Sequence, residues 1–168
     1  SGMYDVIMVD AYQDITIPFQ MSSVEFFTEV KEHLNPGGVM VVNMSMRSES
    51  EGSMNEYLMD TIASVFPYCA AVRVTNGSNL ELFATADEAG FERLAARIEA
   101  LGEDDPLSSI MGRVEAGLEP VEGGDLILTD DRAPVELLGM RVLDEMISAE
   151  LESLRSQIRE DGIMSLLG

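Results

Sequence analysis

The sequence predicts an α/β fold: one mostly parallel β-sheet with an antiparallel final strand, helices on both faces and a long C-terminal helix. Three observations predict it. The run Tyr4-Asp5-Val6-Ile7-Met8-Val9-Asp10 is apolar on both faces, the pattern of a strand covered above and below. An amphipathic stretch and an Asn35-Pro36-Gly37-Gly38 turn then lead into a second apolar run, Val39 to Asn43. Strand, helix and strand in that order make a right-handed βαβ unit. At 168 residues and 46% hydrophobic, the chain is long enough to bury one core.

The elements follow in order. Ser22 and Glu25 form a capping box ahead of a helix whose Phe26, Phe27, Val30 and Leu34 share one face. The Asn-Pro-Gly-Gly turn stops that helix. A polar loop from Arg47 to Gly52 leads to a second capping box, Ser53 with Glu56. Met54, Leu58, Ile62, Val65 and Phe66 then keep helical spacing until Pro67 ends it. Cys69 to Val74 and Leu80 to Ala84 read as short strands flanking Thr75-Asn76-Gly77-Ser78-Asn79, which is hairpin chemistry.

From Asp87 the pattern is helical again, with Phe91, Leu94, Ala95, Ile98 and Leu101 on one face. A short helix from Leu107 to Ala116 and a Gly/Pro-rich loop through Gly124 follow. Leu126-Ile127-Leu128 runs into Thr129-Asp130-Asp131-Arg132-Ala133-Pro134, which reads as a helix N-terminus with an acid in the cap and proline in the first turn. The tail from Pro134 to about Ile158 is amphipathic.

Composition narrows the function. The net charge is −21, from 31 acids against 10 bases. Nucleic-acid binding needs a basic footprint and is excluded. An acidic field attracts cationic small molecules such as amines, although such a surface also serves solubility alone. Cys69 is the single cysteine and reads as a small core residue, with no disulfide framework. His33 has no cysteine partners, so no metal site is expected. No apolar run is long enough to span a bilayer and no signal peptide is visible, so the expectation is a cytoplasmic protein with no membrane partner.

Asp10 is the candidate catalytic residue. A carboxylate that ends a buried strand faces the crevice where open α/β sheets hold ligands. There it can accept a proton or hold an ammonium group; position alone leaves open a structural role in capping the loop backbone. Tyr12, Gln13 and Asp14 follow on the loop over that crevice and are candidate substrate-binding residues.

At these residues the chain resembles the spermidine synthase and spermidine synthase-like family, within the class I adenosylmethionine-dependent methyltransferase fold. The resemblance rests on Tyr4 to Tyr12, on Ile17-Pro18 with Glu25-Phe26-Phe27, on Asn35-Pro36-Gly37-Gly38-Val39, and on Leu128-Thr129-Asp130-Asp131-Arg132-Ala133-Pro134-Val135-Glu136. It implies a partial Rossmann-like domain over residues 1–138, the C-terminal half of the family's domain, with an amphipathic helical tail over 139–168. It also implies transfer of an aminopropyl group from decarboxylated S-adenosylmethionine to an amine such as putrescine, in polyamine biosynthesis. In that reaction Asp10 would deprotonate and orient the attacking amine.

The family's usual loop is Asp-Ser-x-Asp-Pro, whereas here Asp10 is followed by Ala11 and Tyr12, and the next acid is Asp14. The family's Gly-rich adenosyl-binding loop lies upstream of the first strand. The expectation is therefore that the isolated chain binds neither S-adenosylmethionine nor its decarboxylated form and is inactive alone. Its first strand is expected to be covered in a homo-oligomer or by an N-terminal half. The alternatives are a methyltransferase acting on a small cationic substrate and a non-catalytic half-domain that binds partners or self-associates.

Overall fold

In the computed structural model of the chain, the described residues are 4–10, 17–45, 52–74, 79–132, 140, 144, 147–153, 155, 156 and 159. In chain order they form β1 (Tyr4–Val9), a 3-10 turn (Phe19–Met21), α1 (Val24–His33), β2 (Leu34–Ser45), α2 (Met54–Val65), β3 (Tyr68–Arg73), β4 (Asn79–Thr85), α3 (Gly90–Glu99), α4 (Ser108–Gly117) and β5 (Glu119–Pro120). Met140, Asp144 and residues 147–153 are helical, within the predicted tail.

The five strands lie in the order β1-β2-β4-β3-β5. Only β1 and β2 pair in parallel; β2 with β4, β3 with β4 and β3 with β5 are antiparallel. The sheet is mixed, which corrects the mostly parallel expectation, and β4 is interior rather than final. The cause lies in the β3–β4 hairpin. It returns β4 against the direction of β2, and β4 carries the residues suited to the centre. Leu82 and Ala84 face Val42 and Met40 across the ladder, and all four are fully buried. Cys69, Ala70 and Ala71 of β3 are smaller and take the flank.

One face of this sheet meets both α1 and α2. Phe27 and Val30 from α1, and Leu58 and Ile62 from α2, close over Val9, Met40, Val42, Met44 and Leu82. Phe26 and Phe27 add an edge-to-face ring contact at 5.2 Å between centroids. Cys69 is buried in this cluster, and burial pushes its thiol up to about 12, so it is an inert core residue as its neighbours in sequence suggest.

The first strand lies at the sheet edge, as expected, but it is not covered on both faces: Val6 is 56% and Met8 71% exposed, while Val9 is buried. An apolar pattern on both faces reports what a strand is suited to, not which neighbours it has. Its outer edge carries the open hydrogen-bonding groups for which the sequence expects a covering partner.

Helix ends follow local chemistry with one shift. Ser23, not Ser22, caps α1 by accepting the Phe26 amide, and Ser22 Oγ donates to the Phe19 carbonyl instead. Ser53 caps α2 as expected, accepting from Glu56 N while Glu56 Oε2 accepts from Gly52 N. At the other end of α2, Lys31 Nζ donates to the Val65 carbonyl at 2.7 Å and lies 5.7 Å from the Phe66 ring centroid. A cation on the terminal carbonyls of a helix complements its dipole. Lys31→Met keeps the stem and removes that charge; it is expected to cost about 1 kcal/mol in urea unfolding.

Candidate functional site

The carboxyl end of β1 delivers Asp10 to the end of the sheet next to β2, and its carboxylate is exposed. Val9 pairs with Val42, so the next rung brings Asp10 beside Asn43. Asn43 Nδ2 donates to Asp10 Oδ1 at 3.0 Å, and Asn79 Nδ2 donates to Asn43 Oδ1 at 2.8 Å. This amide relay runs from β4 through β2 and fixes the plane of the Asp10 carboxylate. Among the described residues, Asp10 Oδ2 has no hydrogen-bond partner.

Asn43 is also the direct ladder partner of Glu81 on β4. Asp10, Asn43 and Glu81 therefore stand in one row across three strands. Partial burial, and then the negative charge of Asp10, hold the Glu81 carboxyl above the usual carboxylate range. Two acids in one row, one rigidly held and the other reluctant to ionise, make a seat for an ammonium group. A bound cation relieves the repulsion that the acids exert on each other.

The sign of the Glu81 shift gives a test. An acid whose pKa is raised in the folded state is a penalty that is absent below its unfolded pKa. That penalty grows as pH rises through the folded value. Glu81→Gln should therefore leave stability unchanged in acid and raise it at neutral pH, by roughly 0.5 kcal/mol given the exposure of the group. Denaturation midpoints that move equally at both pH values would contradict the coupling.

Among the sequence candidates, Asp10 directly follows β1 and is exposed. Tyr12, Gln13 and Asp14 lie outside the described residues. Asn43, Asn79 and Glu81 were not among the candidates. Asn43 closes an apolar strand as Asp10 does, and that shared position was the one signal available.

The Thr129–Arg132 segment makes a tight turn with a β-bridge between its ends, and its acid caps another element. Ser23 Oγ donates to Asp130 Oδ1 at 2.5 Å, and Asp130 N donates to Glu25 Oε2 at 3.0 Å. Val24 N donates to the Leu128 carbonyl at 2.9 Å. The segment thus pins the start of α1, directly after the loop that follows Asp10, so its role among the described residues is to brace.

No known protein-family model matches the chain. Against curated proteins, it is 48% identical over 181 residues to a probable polyamine aminopropyl transferase of Bifidobacterium longum (strain NCC 2705). That alignment covers 98% of this chain and 40% of the relative, so the chain spans about two fifths of the relative's length. Among solved structures, a probable spermidine synthase from Corynebacterium glutamicum ATCC 13032 matches with a TM-score of 0.44 at 21% identity, over 72% of this chain and 47% of that one.

Proposed function

We propose that this chain, which belongs to the spermidine synthase-like family, carries the acceptor side of an aminopropyl transfer, in which an alkyl amine attacks decarboxylated S-adenosylmethionine. The observation that carries the reading is the Asp10 carboxylate, held by Asn43 at the carboxyl end of the sheet with Glu81 in the same row.

The chemistry asks for a base and a cation seat. An alkyl amine is protonated at neutral pH and has no lone pair to offer until it loses a proton. Asp10 Oδ2 accepts that proton while Asn43 keeps the carboxylate in register. The nitrogen then attacks the methylene carbon attached to the donor's sulfonium. A C–N bond forms, the C–S bond breaks, and its electron pair returns to sulfur as a neutral thioether. Glu81 adds a second negative centre for the distal ammonium of a diamine, or for the cationic arm of the donor. The acidic row fits a positively charged donor.

The test is a transfer assay with this chain exchanged for the matching segment of the full-length curated relative, with decarboxylated S-adenosylmethionine and a series of alkyl diamines, read by mass spectrometry of the products. Aminopropylated amine is the expected result there, and no product is expected from the isolated chain. A methylated amine formed from S-adenosylmethionine, with no aminopropyl product from any diamine, would overturn the reading.

A further inference from the structure

A side-chain amide has two ends of nearly the same shape, and its hydrogen-bond partners decide which way round it stands. Asn43 lies between two such partners. Its Nδ2 donates to Asp10 Oδ1 at 3.0 Å, and its Oδ1 accepts from Asn79 Nδ2 at 2.8 Å. Turned by half a rotation, it would set its oxygen against the Asp10 carboxylate and its nitrogen against the Asn79 nitrogen. Asp10 alone does not fix the choice. Glu81, the ladder partner of Asn43, stands on the β4 side as a competing acceptor for the same N–H. The Asn79 donor occupies the oxygen end on that side and so sends the nitrogen end towards Asp10.

Asn79 stands where the fold can fix this direction. It is the first residue of β4, it pairs with Ser45 at the end of β2, and it is half-buried. Asn43 opposes Glu81, so Asn79 reaches Asn43 along the diagonal of the ladder, on the same face of the sheet. The Asn79 carbonyl accepts the Val74 amide at 3.0 Å, which closes the β3–β4 hairpin. One residue therefore ties the hairpin by its backbone and directs the Asn43 amide by its side chain. Two strand spacings, about 10 Å, separate β4 from β1.

We propose that Asn79 is a positioning residue of this site: it sets the direction of the Asn43 amide, so that an N–H and not a carbonyl faces the Asp10 carboxylate. The assignment rests on Asp10 being the base of the proposed transfer. The effect of Asn79 passes entirely through Asn43.

Two measurements test it. Asn79→Asp keeps the shape and the hairpin bond but replaces the donor by an acceptor. In the isotopically labelled chain, Asp10→Asn should move the Nδ2 proton resonances of Asn43, and Asn79→Asp should at least halve that response. In the full-length protein carrying this segment in exchange, Asn79→Asp should lower kcat by about tenfold and leave KM for the amine within about twofold. In the Asn43→Leu background the same substitution should leave kcat unchanged, because the path it acts through is gone. Should Asn79→Asp fail to fold, Asn79→Ala removes the donor without adding charge. It should lower kcat by about threefold, again only where Asn43 is present. Equal losses with and without the Asn43 amide would make Asn79 structural and overturn the proposal while the transfer itself stands. An Asn43 response that neither variant alters would do the same. No aminopropyl product from the unsubstituted exchange protein would overturn the proposed function, and this assignment with it.

Discussion

In the full-length protein that carries this segment in exchange, replacing Asp10 by Asn is expected to lower the proposed aminopropyl transfer by about 10²- to 10⁴-fold, the range associated with removing a positioned general base. The substitution is nearly isosteric. An Asn side chain still offers an oxygen to Asn43 Nδ2, so the relay through Asn79 stays intact. Asp10 is exposed and contributes nothing to the core, so stability should change by no more than about 0.5 kcal/mol. What is lost is the ability of Oδ2 to take the ammonium proton that must leave before the nitrogen can attack. The loss should therefore fall mainly on kcat, with a smaller rise in KM for the amine because one negative charge has left the seat. Asn43→Leu offers a contrast: the base remains but is no longer held. Its rate should fall less than that of Asp10→Asn, while the pH dependence keeps its shape. Turnover retained in the Asp10 variant, in protein of unchanged stability, would remove this residue from the chemistry.

The parts of this molecule that were legible in sequence are those decided within a few residues. Ser53 and Glu56 announce the start of α2, Pro67 its end, and the Asn-Gly pair its hairpin, because cap and turn chemistry needs only neighbours. Cys69 among small apolar residues is where such a residue is expected. The sheet order was not legible, since alternation along β3 and β4 says which face is buried but not which strand lies alongside. The edge position of β1 was expected from the resemblance, but not that Val6 and Met8 would stand exposed on one of its faces. The site shows the limit most clearly. Asp10 could be singled out by its place at the end of an apolar run. Asn43 reaches it from 33 residues away and Asn79 reaches Asn43 from 36 residues further on, and only the inter-strand register brings them together. Likewise Asp130 looks like the cap of its own helix, and its true partner, Ser23, is 107 residues distant.

That long-range brace gives the largest expected effect on stability. Thr61 is fully buried on α2, and its hydroxyl has two partners. It donates to the Tyr57 carbonyl at 2.6 Å and accepts the Leu128 amide at 2.9 Å. Thr61→Val keeps the shape and removes the hydroxyl, leaving a buried amide at Leu128 without an acceptor. Such a group costs about 1–3 kcal/mol, which for a chain of this size is a fall of roughly 4–8 °C in Tm at the middle of that range. Thr61→Ser retains the hydroxyl, loses one methyl group and should recover most of the difference. The consequence should travel along the chain, because the carbonyl of the same Leu128 accepts the Val24 amide at the start of α1. Hydrogen exchange at Val24 and Leu128 is therefore expected to accelerate together in the Val variant, ahead of Val42 and Leu82 in the sheet. If the Val and Ser variants unfold alike, or if Val24 stays protected while Leu128 opens, the segment around Leu128 does not hold α1 as described. The start of α1 would then have to be set by the Ser23 cap alone.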